Sequence, residues 1–170
     1  MNGLRFGQLL LAAPALGRPI DARLRAACIA MLGTLQRDGA PRVSPVEVML
    51  IEGGLFIGMM AGSRKQADVL RDPRVSLLTA VADRNDLDGE GKLSGSLVSL
   101  DRHTAQAVLE AAGLDADAFA DSPVFELRID RAAWQQLDQA TETWVSLVWD
   151  PTHGQRSFRR AGLGGERVPV

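Results

Sequence analysis

The chain has 170 residues, 46% hydrophobic and 24% charged, with 19 Lys+Arg against 21 Asp+Glu and a formal charge of −2. Length and composition suit one globular domain, or a domain with a short appendage, and exclude a disordered chain, a fibrous repeat and a disulfide scaffold. The near-neutral charge excludes a general nucleic-acid binder, the one cysteine, Cys28, excludes an intrachain disulfide, and no apolar run reaches the ~18–20 residues of a membrane helix.

Residues 1–17 loosely imitate a secretion signal, but Gln8 and Pro14 interrupt the apolar run and no A-x-A site follows. Residues 1–20 therefore read as a short docking helix or arm, residues 21–150 as the main domain and residues 151–170 as a polar tail. The expected location is cytoplasmic. Asp21 opens a helix over 21–27, with Leu24 turned inward. Residues 28–36 are apolar on both faces and fit a strand covered on both sides, with Cys28 as a buried, unreactive small hydrophobe. Asp38-Gly39 signals a type I′ hairpin. Residues 42–51 return as a strand, and Glu52-Gly53-Gly54 turns into a third strand over 55–60, making an antiparallel meander.

Ser63 caps a short helix ending at Asp72, with Gln66 completing a capping box and Pro73 stopping it. Residues 74–82 read as a strand, 83–91 as a loop and 92–100 as another strand, thin at Gly95. Asp101 caps a helix over 102–112 with Ala105, Val108, Leu109 and Ala112 on one face and Gly113 at its end. Residues 124–130 alternate, with Phe125, Leu127 and Ile129 inward and Glu126, Arg128 and Asp130 outward. Residues 143–149 form the last strand, before a polar tail carrying Arg156, Arg159, Arg160 and Arg167. About six or seven strands and two or three helices, joined mostly by hairpins, predict a mainly β, α+β fold: an antiparallel sheet curled into a small barrel with helices packed outside.

The familiar catalytic motifs are absent. Gly91-Lys92 is followed by Leu93, not by the Ser or Thr of a phosphate loop, and no glycine-rich turn joins a strand to a long helix. His103, His153 and Cys28 are too scattered for a metal centre, so no metal is expected. No catalytic residue is assigned; Glu47, His103 and His153 read as structural or surface groups. Trp134 reads as packing, and Trp144 and Trp149, on opposite faces of one strand, as one core and one interfacial residue.

One local conflict points to a ligand. Arg64 and Lys65 put two cations in the first turn of a helix, where the backbone dipole already presents positive charge. Helix N–H groups, Arg and Lys together make a phosphate site in kind. Arg42, Ser44 and Val46 share one face of the preceding strand by period-two alternation and lie one hairpin away. The plainer reading, in which these cations are solvated, stays open at this point.

Three runs resemble the pyridoxamine 5′-phosphate oxidase-like, FMN-binding split-barrel proteins: AMLGTLQRDGAPRVSPV at 30–46, SRKQADVLRDPRVSL at 63–77 and GKLSGSLVSLD at 91–101. Trp149 with the arginine-rich tail is similar to their C-terminus. The resemblance implies a split β-barrel homodimer with a flavin at the subunit interface and a small planar substrate. It implies that Arg42, Ser63, Arg64 and Lys65 bind the flavin phosphate. Ser44, Pro45 and Val46 would line the ring, with Met59 and Met60 beneath it, and Trp149, Arg156 and Arg160 would reach in from the partner chain. Glu47 stands where the family's second strand has Lys, and Phe158 where its C-terminal motif has His. These departures place the chain nearer the short branch that uses FMN or the deazaflavin F420 than the vitamin B6 oxidases. Related split barrels bind haem, for which the sequence offers no clear axial ligand. An FMN oxidoreductase, an F420-dependent reductase and a non-catalytic flavin-binding or flavin-sensing protein remain as alternatives.

Overall fold

A computed structural model describes residues 3–81, 88–162 and 164–170. Two helices open it, α1 (Phe6–Ala12) and α2 (Pro14–Ala27). Proline at the first helical position of α2 gives up an N–H that has no intrahelical partner there. This sets the start of α2 seven residues before Asp21. Phe6 and Leu9 of α1 and Leu16, Ile20 and Leu24 of α2 are buried with the strands in one core, so these segments are part of the packed body.

The strands are β1 (Ile29–Leu35), β2 (Pro41–Glu47), β3 (Met49–Ile51), β4 (Gly54–Gly58), β5 (Arg74–Thr79), β6 (Glu90–Ser99), β7 (Val124–Asp138), β8 (Thr143–Asp150), β9 (Gly154–Ala161) and β10 (Val168–Pro169). They pair antiparallel in the order β10-β9-β8-β7-β6-β5-β1-β2, with β4 joining β3 to β7. The long strand β7 explains the split. Its residues 124–126 pair with β4 and its residues 132–138 pair with β8, so two sheet branches leave it. Gly95 sits where the β6–β7 register shifts. A Cβ there would stand 1.8 Å from the Arg128 carbonyl oxygen, so the close approach requires glycine. Helix α3 (Arg64–Arg71) flanks β1, and α4 (Arg102–Ala111) covers a second cluster of Phe56, Val108, Leu109 and Val124.

The helix signals at Ser63 and Asp101 hold, while Asp21 lies inside α2. The Ser63 hydroxyl accepts from the Gln66 N–H and Asp101 from the Thr104 N–H, although the Gln66 side chain reaches back to the Gly62 N–H, one residue early. The turn at Asp38-Gly39 differs from the type I′ reading. Only Gly39 has positive φ, at 85°, and Gln36 and Ala40 close a three-residue loop. The type I′ signature falls instead on Glu52 and Gly53, at φ 45° and 72°.

Other expectations are corrected. β1 is buried on one face, at Ala30, Leu32 and Thr34, not on both. Cys28 is exposed: it ends α2 in the left-handed conformation, at φ 55°. Glu126 does not face water. It is 4% exposed, and its carboxylate is held by Arg5 and Arg128. Residues 154–161 are not a loose tail but the strand β9, paired along all of β8. Of the expected 83–91 loop, 83–87 lie outside the described residues, as does Ala82 at the end of the expected preceding strand, and Glu90 and Gly91 belong to β6.

Candidate functional site

The sequence candidates fall into two groups. The first lies where α3 crosses the β1–β2 hairpin. Helical spacing puts Arg64, Asp68 and Arg71 on one face of α3, and that face meets Gln36, Arg37 and Arg42 around an open cleft of about 440 Å³. Lys65, one residue round the helix, donates from Nζ to the Pro45 carbonyl at 3.3 Å. Arg42 and Arg64 thus line one cleft at the strand–helix junction, while Lys65 reaches β2 outside that lining.

Arg42 carries a partner the sequence reading missed. Its Nε donates to Asp68 Oδ2 at 2.7 Å and its Nη2 to Gln36 Oε1 at 3.0 Å. Asp68 is 4% exposed and also accepts from the Thr34 hydroxyl at 3.0 Å, with Arg71 at 3.5 Å. Burial alone would push the Asp68 carboxyl up. Hydrogen bonds from Arg42 and Thr34 and the charges of Arg42 and Arg71 outweigh burial and hold it below the usual carboxylate range. The signal was present in the sequence, since Arg64, Asp68 and Arg71 share a helical face. It gains meaning only once β2 is known to lie beneath that face.

The remaining residues of this group are spread by depth. Val46 and Met59 are buried in the main core. Ser44 is half-buried, while Pro45 and Met60 are exposed. β2 ends the strand order, so its outer edge has no strand partner among the described residues.

The second group lies at the other end of that order, on β8 and β9. Trp149 is buried in the core at 6% exposure and also borders a cleft of about 1150 Å³, together with Lys92, Arg131, His153, Arg156 and Arg167. Arg160 borders a neighbouring cleft with the half-buried Trp144. Trp134 is packing, with its Nε1 bonded to Gln136 Oε1 at 2.8 Å. Arg156 donates to Asp150 Oδ2 at 2.6 Å, and His153 Nδ1 lies 2.9 Å from Asp150 Oδ1. Burial acts against the Asp150 charge, but hydrogen bonds from the His153 side chain and from nearby backbone N–H groups keep its carboxyl below the usual range. The two groups line different clefts, and the chain alone does not bring them together.

Among the described residues, no cluster of three or more His, Cys, Asp or Glu side chains is arranged to hold a metal ion. No helix among them is long and apolar enough to cross a membrane.

Solved structures share this architecture. A conserved hypothetical protein, Rv2991, from Mycobacterium tuberculosis is 20% identical with a TM-score of 0.58, over 68% of this chain and 81% of that one. A Clostridium acetobutylicum protein related to general stress protein 26, of the pyridoxinephosphate oxidase family, is 12% identical with a TM-score of 0.60, over 86% of this chain and 96% of that one. HutZ, a haem storage protein from Vibrio cholerae, is 17% identical with a TM-score of 0.54, over 67% of this chain and 89% of that one. At these identities the likeness shows the fold, the α+β split barrel read from the sequence. No curated protein sequence matches the chain. The family model for pyridoxamine 5′-phosphate oxidase matches residues 17–136, and the chain belongs to that family.

Proposed function

We propose that the protein is a flavin-binding oxidoreductase that holds FMN between two copies of the chain. The observation that carries this reading is the junction of β2 and α3, where Arg42 and Arg64 line one cleft and Lys65 bridges to the Pro45 carbonyl. These residues fit a phosphate monoester. Asp68 and Gln36 engage Nε and Nη2 of Arg42, leaving Nη1 for a ligand. Arg64 is exposed, and the first N–H groups of α3 add backbone donors. The ring would lie along Ser44, Pro45 and Val46, flanked on the outer edge of β2 by the backbone groups of Val43 and Glu47, since Pro45 has no N–H and its carbonyl accepts from Lys65.

When bound, the flavin supplies the hydride or electron transfer. The chain's own residues bind it, orient it and exclude water, which accounts for the lack of an acid–base motif. Trp149, Arg156 and Arg160 sit at the far end of the strand order, so a cofactor touched by both groups joins two protomers. Sedimentation is expected to give a dimer; a stable monomer would contradict the shared site. The absorption spectrum of the purified protein, an FMN titration followed by fluorescence quenching, and turnover of an electron donor and acceptor test the rest. A colourless protein that binds added F420 and not FMN would move the assignment to the deazaflavin, and FMN binding without turnover would make the protein a flavin carrier or sensor.

One observation favours a second reading, haem binding. His153 is held by Asp150 through Nδ1, the kind of support that metal-ligating histidines have. It borders the large cleft with Lys92, Arg131 and Arg156, cations suited to propionates. HutZ, one of the structural neighbours, is a haem storage protein. On this reading His153→Ala abolishes the Soret shift seen on haem titration and leaves FMN binding alone. A Soret shift that survives His153→Ala removes this residue from consideration.

A further inference from the structure

We infer that Asp68 is an internal counter-ion to Arg42 that limits how tightly the β2–α3 cleft holds a dianionic phosphate. This rests on the reading of that cleft as the phosphate site of the flavin. A guanidinium binds phosphate best through two parallel N–H donors, and a buried carboxylate already takes the Nε donor at 2.7 Å. The Asp68 side chain is 6% exposed, so little water reaches it directly. Thr34 and Arg71 fix its orientation. A phosphate arriving at the remaining Arg42 donors therefore meets a guanidinium whose charge is already matched, with a like charge directly behind it.

Asp68 also keeps Arg42 in place, and losing that hold would weaken binding by freeing one side chain. The two effects oppose each other. Removing a full negative charge from beside a dianion outweighs the freedom gained by one guanidinium. The net expectation is that an uncharged residue at position 68 tightens phosphate binding. Arg42, left without its partner, would then take the ligand's phosphate as its counter-ion.

Riboflavin carries the same ring without the phosphate, so the ratio of FMN to riboflavin affinity isolates the effect. Both affinities are measured by fluorescence quenching at pH 7 for the native protein, Asp68→Asn and Asp68→Ser. Asn keeps the shape and an acceptor for Thr34, and Ser is the second variant should Asn fold poorly. The expected result is a preference for FMN that rises about tenfold in the variants, about 1.4 kcal/mol. Inorganic phosphate should also raise their Tm more than that of the native protein. A lower Tm with an unchanged or reduced preference would make Asp68 a structural residue and overturn the inference. A native protein that binds FMN no better than riboflavin would overturn the phosphate reading of the cleft and this inference with it. A native preference that falls in Arg64→Ala but does not rise in the Asp68 variants overturns this inference alone.

Discussion

Arg42→Ala is expected to lower the stability of the fold by about 2–4 kcal/mol, because it strands a buried carboxylate. Asp68 is 4% exposed and takes its shortest hydrogen bond, 2.7 Å, from Arg42. The figure sits below the full cost of breaking a buried pair for two reasons. The Arg42 side chain is 22% exposed, and Arg71 remains near Asp68 at 3.5 Å. The pH dependence carries the sign. In the native protein the Asp68 pKa is lowered from 3.8, since burial is outweighed by Arg42, Thr34 and Arg71. A carboxyl with a depressed folded pKa contributes stability above its unfolded value and loses it only as the pH falls through the folded one. The native protein therefore keeps this contribution into acid below 3.8. In the variant, burial is opposed by Thr34 and Arg71 alone, and the carboxyl shifts upward. With the native carboxyl held lower than the variant's, the stability difference between them grows as the pH rises through the two folded values. The Tm gap between native and variant should be widest near pH 7 and narrow toward pH 4. Thermal melts at both values check this, and a gap independent of pH would deny the ion pair its role.

The Arg42–Asp68 pair also marks the boundary of what the sequence discloses. Local chemistry was legible wherever it acts over a few residues. Ser63 and Asp101 cap their helices, Pro73 ends α3, and alternation marks β7. The readings that failed depend on what packs opposite. Glu126 alternates like an outward residue, yet Arg5 and Arg128 close over its carboxylate and bury it. Cys28 looks like the first residue of an apolar strand, but it is the C-cap of α2, in the left-handed conformation with its N–H on the Leu24 carbonyl. The arginines of β9 read as a tail because a solvated sheet face has no apolar stripe; only the register with β8 makes it a strand. The phosphate candidates were found as a charge conflict on α3. Their neutralising partner, on the same helix, was overlooked because a buried Asp and a solvated Asp look alike in sequence.

Removing Arg64 and Lys65 together is the cleaner test of the cofactor, and the expected loss of FMN affinity is about 10²–10⁴-fold. Each cation would make a charge-assisted contact with the phosphate worth about 1.5–3 kcal/mol, so two contacts give about 3–6 kcal/mol. Neither residue supports the fold. Arg64 is exposed and has no ion pair among the described residues, and the one hydrogen bond of Lys65 goes to the carbonyl of the exposed Pro45. Both cations oppose the dipole at the start of α3, where a wrong-sign charge costs about 0.3–1 kcal/mol. Arg64→Ala with Lys65→Ala should therefore hold or slightly raise the Tm of the ligand-free protein while FMN binding falls. Riboflavin affinity, which involves no phosphate, should stay near its native value. A shared loss of FMN and riboflavin binding would place the damage at the ring or in the fold. Unchanged FMN affinity would mean that both side chains are simply solvated. A Tm that holds or rises while FMN affinity falls is what a helix start built for an anion, at the expense of its own stability, has to show.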